Sequence, residues 1–595
     1  MILQSLHEYY QRKQDLPPPG FDLKEIPFVI EVNKTGVPIQ IEDTRTQDGK
    51  VKRGKSYLVP QPPKKSANIL SSLLWGNAEY VLGVPDQDKL VDKKTKGKEA
   101  DYKQQLQKRR ESFVEAIKAL SKEALADEGV CAVLQFIQGP NLNDLQRFEG
   151  IWEEIRRTNP NISFRLQGDI ELVCQRKAVK DAVAESAKRR SYDGICLVTG
   201  QPDEIERLHP AIKGVRGAKT SGANIVAVND NENPAFASHG KHQGYNSPVG
   251  KSVSFEYTAA LNRLLSRNSH QRVQVGDAST VFWADKPSPL EDNFSDIFEE
   301  PPKDDPDRNA RALKALYEAP QQGVAPINDT STRFFVLGLG PNGPRIAIRF
   351  WHVGTVAELA RTIQQHFDDL EIAQPAFEKP YLSVFRLLLA TATQGKSENI
   401  PPNLGGEVMR AVLTGVPYPA TLLQGAVRRI RAEQAKRDKR TGKSIQNVTY
   451  ARAALIKACL NRLQRKTKKT EREATVSLDY ANANSGYRLG RLFAALEKIQ
   501  EEANPRINAT IRERFYGAAS STPVTVFSNL MKLKNHHLAK LENPGRKINL
   551  ERLIGEILNG ISEFPSHLSL ADQGRFAIGY YHQRQALFSK STETK

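Results

Sequence analysis

Residues 195–215 read ICLVTGQPDEIERLHPAIKGV. They are followed by 221–250, SGANIVAVNDNENPAFASHGKHQGYNSPVG, by 253–268, VSFEYTAALNRLLSRN, and by 276–284, GDASTVFWA. Ile195–Val198 and Ile225–Val228 are short apolar runs bounded by Gly, Asn or Pro, the pattern of buried strands. The third segment predicts a helix over about Ser254–Arg267. Between the second strand and that helix lies a loop, Asn229–Gly250, rich in Asn, Gly, Ser, His and Gln, with Phe236 and Tyr245 as its only aromatics. Amides, a few cations and glycines suit contact with base edges and phosphates at close backbone approach. The competing reading is a plain surface loop. A loop this long inside a compact domain is more often functional than a short one.

Outward from this stretch, the chain separates into two kinds of sequence. Residues 26–59 alternate apolar and polar around turn signals at Asn33–Gly36 and Asp48–Gly49 and predict a β-meander. A short helix is expected at Ala67–Trp75, an amphipathic helix at about Tyr102–Ala126, and strands at Val130–Ile137 and Ser163–Leu166. Lys286–Pro306, rich in acids and prolines, reads as a linker or acidic surface loop. RFFVLGLG, a Pro341-Asn342-Gly343 turn and RIAIRFW form a hairpin, and Thr355–Leu370 a helix.

Beyond Gln374 strand signals vanish. Helices are expected at about 486–502, 506–516, 523–541, 548–559 and 569–588, punctuated by Pro505, Gly517, Pro523, Asn543-Pro544-Gly545 and Gly560. Leu489, Leu492, Phe493, Leu496 and Ile499 give the apolar stripe of a packed helix. The fold class is therefore an α+β N-terminal half, a mixed sheet with helices, followed by an all-α C-terminal helical bundle. The expected regions are 1–330, 331–385 and 386–595, the last ending in a bundle at about 476–595.

Of the net charge of +18, residues 401–595 contribute +17, with 33 Lys and Arg against 16 Asp and Glu. Residues 425–472 alone hold 16 basic residues against three acids. Such asymmetry points to a polyanion, and nucleic acid is the partner it favours. A membrane surface is the rival, but the tail helices carry no aromatic face opposite a basic one. The N-terminus lacks the apolar core of a signal peptide, and no apolar run reaches 18 residues. The four cysteines, Cys131, Cys174, Cys196 and Cys459, lie far apart without a CxxC pair, as expected of free thiols in a reducing cytoplasm.

Motifs that suggest chemistry fail on context. Gly49–Ser56 matches the P-loop pattern, but its flanks are a polar turn and the strand SYLVP rather than a strand before and a helix after. Gly338-x-Gly340-x-x-Gly343 opens a strand, not a helix, and reads as a hairpin turn. His239/His242 and His536-His537 lack a matching set of carboxylates or thiolates. Neither paired acids of a nuclease nor a catalytic triad can be assembled, so a non-enzyme without metal or cofactor is expected.

The ordered blocks LVTG, IERLHPAIKGV, SGANIVAVN, ASHGK, YTAALNRLL and TVFWA resemble the large subunit of the type I-C CRISPR interference complex. Two further blocks fit the same family, YLVPQPPKKSANILSSLLWGNAEYVLG at 57–83 and ENPGRKINL with DQGRFAIGYYHQRQALF after residue 541. The resemblance implies a cytoplasmic, prokaryotic, non-catalytic subunit of a guide-RNA complex with backbone, RNA-processing and small subunits. Such a subunit samples duplex DNA for a short adjacent motif, the PAM. It helps open the duplex, holds the displaced strand, and recruits a separate helicase–nuclease. Carried to matching positions, Lys64, Lys65, Ser66, Asn68 and Asn77 form one motif-side block, and Ser238, Lys241, Gln243, Tyr245 and Asn246 the other. Arg428, Arg429, Arg431, Arg452 and Lys457 would follow the phosphates of a single strand. The resemblance further implies that the C-terminal bundle can also be made as a free small subunit by internal initiation, and the sequence puts its start near Val476, where the basic run has ended and Thr475–Gly486 lacks an apolar stripe. A nuclease or nucleotide-driven remodeller, and a scaffold that binds RNA only, are the rival classes.

Overall fold

The structure is a computed structural model that describes residues 1–48, 51–63, 69–87, 99–188, 192–228, 241–302, 304–305, 307–316, 325–375, 377–378, 381–467, 473–505 and 507–588. Two compact units divide the chain. One comprises Tyr10–Pro210 and Val226–Ala260; the other comprises Met1–Tyr9, Ala211–Ile225 and Leu261–Lys595.

After α1 (Ile2–Arg12) comes the expected meander, β1 (Phe21–Ile26), β2 (Phe28–Val32), β3 (Pro38–Asp43), β4 (Thr46–Asp48), β5 (Val51–Arg53) and β6 (Lys55–Pro60). The Asn33 side chain closes the β2–β3 turn by accepting from the amides of Thr35 and Val37 at 3.0 and 2.8 Å. The short helix expected at Ala67–Trp75 does not form over its described residues, 69–75. Tertiary bonds take its backbone instead: Ser71 N–H donates to Ser112 Oγ and Ser163 Oγ donates to Leu74 O, leaving Leu74 buried with φ 60°. The chain continues as β7 (Trp75–Asn77), α2 (Ala78–Val81), α3 (Glu99–Lys118), α4 (Lys122–Leu125) and α5 (Glu128–Gln138).

α5 replaces the strand expected at Val130–Ile137. Asp127 Oδ1 accepts from the amides of Gly129 and Val130, an N-cap that commits the run to a helix buried at Val130, Val133, Phe136 and Ile137. α6 (Glu149–Thr158) and β8 (Asn161–Leu166) follow, the latter as expected, and the sheet order is β3-β2-β8-β7 with β2 and β8 parallel. After α7 (Lys177–Lys188) come β9 (Gly194–Ile195), β10 (Pro202–Asp203) and α8 (Lys251–Leu264).

The two buried strands expected in the central stretch are not there. β9 ends at Ile195, and Ile195 and Leu197 are 63% and 60% exposed while only Cys196 between them is buried. The chain turns back at once, with Gly200 N–H donating to Cys196 O at 2.8 Å. Ile225–Val228 is irregular.

In the second unit β11 (Arg272–Val275), β12 (Ala278–Ala284), β13 (Arg333–Asn342) and β14 (Arg345–Thr355) form one antiparallel sheet in that order. Inside the expected acidic linker lies α9 (Pro289–Phe298), capped by Ser288 and buried at Leu290, Phe294, Ile297 and Phe298, and just beyond it comes α10 (Arg308–Lys314). α11 (Val356–Leu370) starts from a capping box of Thr355 and Glu358. Beyond it the described residues are helical or irregular apart from one isolated bridge, Arg437 to Ser444. The helices are α12 (Val384–Thr391), α13 (Leu404–Thr414), α14 (Ala420–Ala432), α15 (Tyr450–Thr467), α16 (Ser485–Ala503), α17 (Ile511–Ser521), α18 (Val524–Ala539), α19 (Pro544–Leu558) and α20 (Leu570–Phe588). This is the α+β then all-α order expected from the sequence.

One apolar core runs from Val273 on the sheet to Tyr581 on α20. The stripe Leu489, Leu492, Phe493, Leu496 and Ile499 is wholly inside it, each side chain contributing about 1.5–3 kcal/mol of burial. α16 and α20 meet through reciprocal glycines. A Cβ on Gly490 would lie 2.0 Å from Phe576 O, and one on Gly579 would lie 2.1 Å from Tyr487 O. Only hydrogen fits there.

Candidate nucleic-acid interface

In the first unit, residues 193–208 form a shelf beneath the turn Lys241–Gly250. Leu197 N–H donates to Pro248 O, Glu206 N–H to Val249 O and Gly244 N–H to Arg207 O, at 2.9, 2.9 and 3.1 Å. Gly244 is pressed so close that a Cβ would lie 2.2 Å from Glu206 O. Asp193 ties the two layers together: its carboxylate accepts from Ile205 N–H at 2.6 Å and from Tyr245 Oη at 2.9 Å. The Ile205 amide holds Asp193 below the usual carboxylate range, and the bond to Asp193 raises the Tyr245 hydroxyl.

Within the turn, Gln243–Asn246 is one turn of 3₁₀ helix. Asn246 Nδ2 donates to Lys241 O at 3.1 Å and to Gln243 O at 3.0 Å, so its amide braces the loop. Gln243 has φ 42°, the left-handed region, and its Oε1 accepts from the Arg207 guanidinium. Lys241 is exposed. The structure thus gathers Lys241, Gln243, Tyr245 and Asn246 into one braced turn, with Tyr245 and Asn246 spending their polar atoms inside it. Arg207, Asp193 and Gly244 complete that turn. Sequence reasoning missed Arg207 and Asp193 because they sit apart from the turn in the chain, in a segment without a periodic signal, and it read Gly244 only as one of the loop's flexible glycines.

Asn77 lies elsewhere in the unit, where its Oδ1 caps α2 by accepting from Tyr80 N–H at 3.3 Å. Lys64, Lys65, Ser66, Asn68 and Ser238 lie outside the described residues.

In the second unit the basic run divides into interior and exterior cations. Arg452 and Lys457, expected to face a nucleic-acid strand, are only 6% and 3% exposed, and this corrects that expectation. They and Arg462 project from α15 onto the carboxyl ends of three other helices. Arg452 Nε donates to Ala390 O at the end of α12 (3.0 Å), and Lys457 Nζ to Asp369 O at the end of α11 (3.0 Å). Arg462 Nη1 donates to Ala411 O in the last turn of α13 (2.6 Å). Helix ends leave carbonyls unpaired and carry partial negative charge, so a buried cation is stabilised there. Asp369 also pairs with Arg462 at 2.7 Å and with Arg465. Burial lowers the Lys457 ammonium below its ordinary value.

Arg428 and Arg431 are exposed on α14, while Arg429 is half-buried and lies 4.0 Å from Glu433. Past α14 the chain makes a small loop, 436–445. Asp438 Oδ1 accepts from the amides of Arg440 and Thr441, while Arg437 reaches Glu513 at 3.0 Å and Asn508 O. Arg512, buried at 2% exposure, fixes the base of the loop by donating to Gln434 O and Ile445 O at 2.8 and 3.0 Å. Lys439, Arg440 and Lys443 stand exposed on it. A rigid loop carrying three solvated cations suits a phosphate chain.

The motif-like segments show other geometry. Gly54–Ser56 leads into β6, paired to β1, and a Cβ on Gly54 would strike Pro27; Gly49 and Lys50 lie outside the described residues. Gly338 and Gly340 lie within β13, and Gly343 makes the hairpin turn at φ 60°. Among the described residues no three His, Cys, Asp or Glu side chains gather as metal ligands, and no helix is long and apolar enough to cross a membrane. His537 Nδ1 hydrogen-bonds the Asn504 amide at 3.2 Å; His239 lies outside the described residues.

A braced amide turn lies in one unit and an exposed cationic loop in the other, and comparison places the chain among CRISPR-associated proteins, as a subunit of a Cascade-type complex. It belongs to the family described as CRISPR-associated protein (Cas_Csd1), whose model matches residues 6–588. Comparison with curated proteins finds no match.

Proposed function

We propose that this chain is the non-catalytic large subunit of a type I-C complex, acting in the prokaryotic cytoplasm. On this reading it recognises a short motif in duplex DNA, promotes opening and pairing of the guide, holds the displaced strand, and recruits a separate helicase–nuclease. The guide reads most of the sequence by base pairing, so the protein needs few base contacts and many phosphate contacts. The observation that carries the reading is the family match over residues 6–588. The braced turn at Lys241–Asn246 and the cations at Arg428, Arg431 and Lys439–Lys443 support it as separate base-facing and phosphate-facing surfaces.

The test is a gel shift of the assembled complex on short duplexes with and without the motif, with and without Mg²⁺ and ATP. Motif-dependent binding without turnover supports the proposal. Cleavage or hydrolysis would establish an enzyme, and motif-blind binding an RNA-holding scaffold. The proposal extends to a free C-terminal fragment beginning near Val476. Peptide mapping of complex from the native gene should find peptides after Arg488 in several-fold excess over those before Arg428, and equal abundance refutes the fragment.

A further inference from the structure

Arg207 is not among the motif-side residues that the family resemblance singles out, yet it occupies a distinctive position on the shelf. It is exposed, its backbone carbonyl accepts from Gly244 N–H at 3.1 Å, and its guanidinium donates to Gln243 Oε1. Gln243 is one of five described non-glycine residues with positive φ, at 42°. The left-handed conformation is disfavoured for a residue with a Cβ, and it persists only where the surroundings over-determine it. Here Asn246 pins the Gln243 carbonyl from behind at 3.0 Å, and Gly244 is wedged against Glu206 O beside it. The outcome of that strain is the placement of one amide oxygen against one guanidinium.

We infer that Arg207 reads a base edge in the duplex motif and that Gln243 is the positioning residue that fixes its guanidinium plane. This rests on the duplex-reading role proposed above. Three observations carry it. An exposed arginine held only by distant charges sweeps many rotamers, and the amide acceptor removes that freedom before binding, so less entropy is lost on contact. The pair is donor-rich: Gln243 Oε1 is already taken, and among the described residues the remaining guanidinium nitrogens make no further hydrogen bond. A donor-only array matches an edge with two neighbouring acceptors, which in the major groove is guanine O6 and N7. Finally, no carboxylate pairs with Arg207 among the described residues; Asp193 is engaged by Ile205 and Tyr245, and Glu204 by Lys251. A guanidinium steadied by a neutral amide keeps its charge for an incoming partner.

The rival partner for such a group is a phosphate, which any cation satisfies. Assembled complex carrying Arg207→Ala, Arg207→Lys or Gln243→Ala should be titrated with duplexes varied one base pair at a time across the motif, over a series of salt concentrations. Both Arg207 variants should lose roughly ten- to hundredfold of the preference at one G·C pair, since lysine keeps the charge but not the planar fork. Arg207→Lys should keep the salt slope of the parent. Gln243→Ala should weaken the preference at the same base pair, and should add nothing in the Arg207→Ala background, which a merely structural role for Gln243 would not produce. The inference is overturned if Arg207→Lys behaves as the parent while Arg207→Ala weakens all duplexes equally with a shallower slope, because that marks a phosphate contact. Retention of the full preference by both variants overturns it too. A parent complex blind to the motif overturns the duplex-reading role itself, a result distinct from either.

Discussion

The ammonium of Lys457 donates to the backbone carbonyl of Asp369 from 3.0 Å, at the carboxyl end of α11. Its neighbour Arg462 takes the Asp369 carboxylate at 2.7 Å, and both cations are buried. Charge that a sequence offers to a polyanion is here turned inward. Arg462→Ala should lower unfolding stability by about 3–5 kcal/mol, the typical cost of breaking a buried ion pair. It should leave the salt dependence of DNA binding in the surviving folded complex unchanged. Urea unfolding and salt titration of the variant measure the two effects, and a shallower salt slope would restore α15 as a strand-binding helix.

The exterior cations should behave in the opposite way. Lys439→Gln, Arg440→Gln and Lys443→Gln together remove three charges from the exposed loop. Stability should stay within about 0.5 kcal/mol per site. The log–log salt slope for a single strand should fall by roughly 0.7 for each phosphate that is no longer neutralised. Fluorescence anisotropy across a salt series reads this directly, and an unaltered slope means that the loop faces a protein or solvent.

Gly244→Ala tests the shelf. A Cβ there would sit 2.2 Å from Glu206 O, so the turn must lift away from residues 206–207. Discrimination between motif and non-motif duplexes should collapse while single-strand affinity persists. Asn246→Ala, which removes two internal hydrogen bonds of about 1 kcal/mol each, should give a milder version of the same loss. Uniform weakening on every substrate would count against a reading role for this turn.

His366 and His582 set an acid limit on the helical unit. Burial drops His366 to about 3 and His582 to about 4. Both folded values lie below the unfolded value of about 6.5, so the unfolded chain binds more protons in between. Their contribution is fully present above pH 6.5 and is lost as pH falls towards 4, with a slope of about 1.4 kcal/mol per pH unit for each histidine. Urea midpoints between pH 7 and 5 should fall accordingly, and His366→Gln with His582→Gln should flatten the dependence. Equal steepness in the double variant would place the acid sensitivity in the carboxylates.

The helical half was legible because its signals are local. Asn543-Pro544 and the leucine stripe of α16 specify caps and a buried face within a few residues, and the structure keeps both, shifting α19 to start at Pro544 and α17 at Ile511. Legibility failed where the deciding residue lies outside the apolar or charge pattern that was read. An eight-residue apolar run at Val130–Ile137 fits strand or buried helix equally, and the Asp127 cap decides for helix. Ile195–Val198 has the composition of a buried strand but lacks a neighbour on one face. The basic run misled most, because net charge counts cations without regard to whether a helix end waits opposite them. Within the candidate site, Lys241–Asn246 could be picked out as a segment, but the shelf beneath it could not. Arg207 and Gln243 are separated by 35 intervening positions, and the backbone bond from Gly244 N–H to Arg207 O brings them together.

The glycine contacts between α16 and α20 bear on where this chain can be severed. These are the first and last helices of the C-terminal segment, and they lock together through Gly490 and Gly579. The ends of the segment are therefore fastened to each other as well as to what precedes them. A polypeptide starting between Glu473 and Ser485 would inherit that clasp whole. What it would leave behind includes the bonds of Arg512 to Gln434 O and Ile445 O, the bond from Tyr581 Oη to Ala373 O, and the strip where Gly574 lies against Leu423, Ile456 and Leu460. A detached segment would thus carry one greasy seam, shaped to fit a helix like α15 and bare until it finds one.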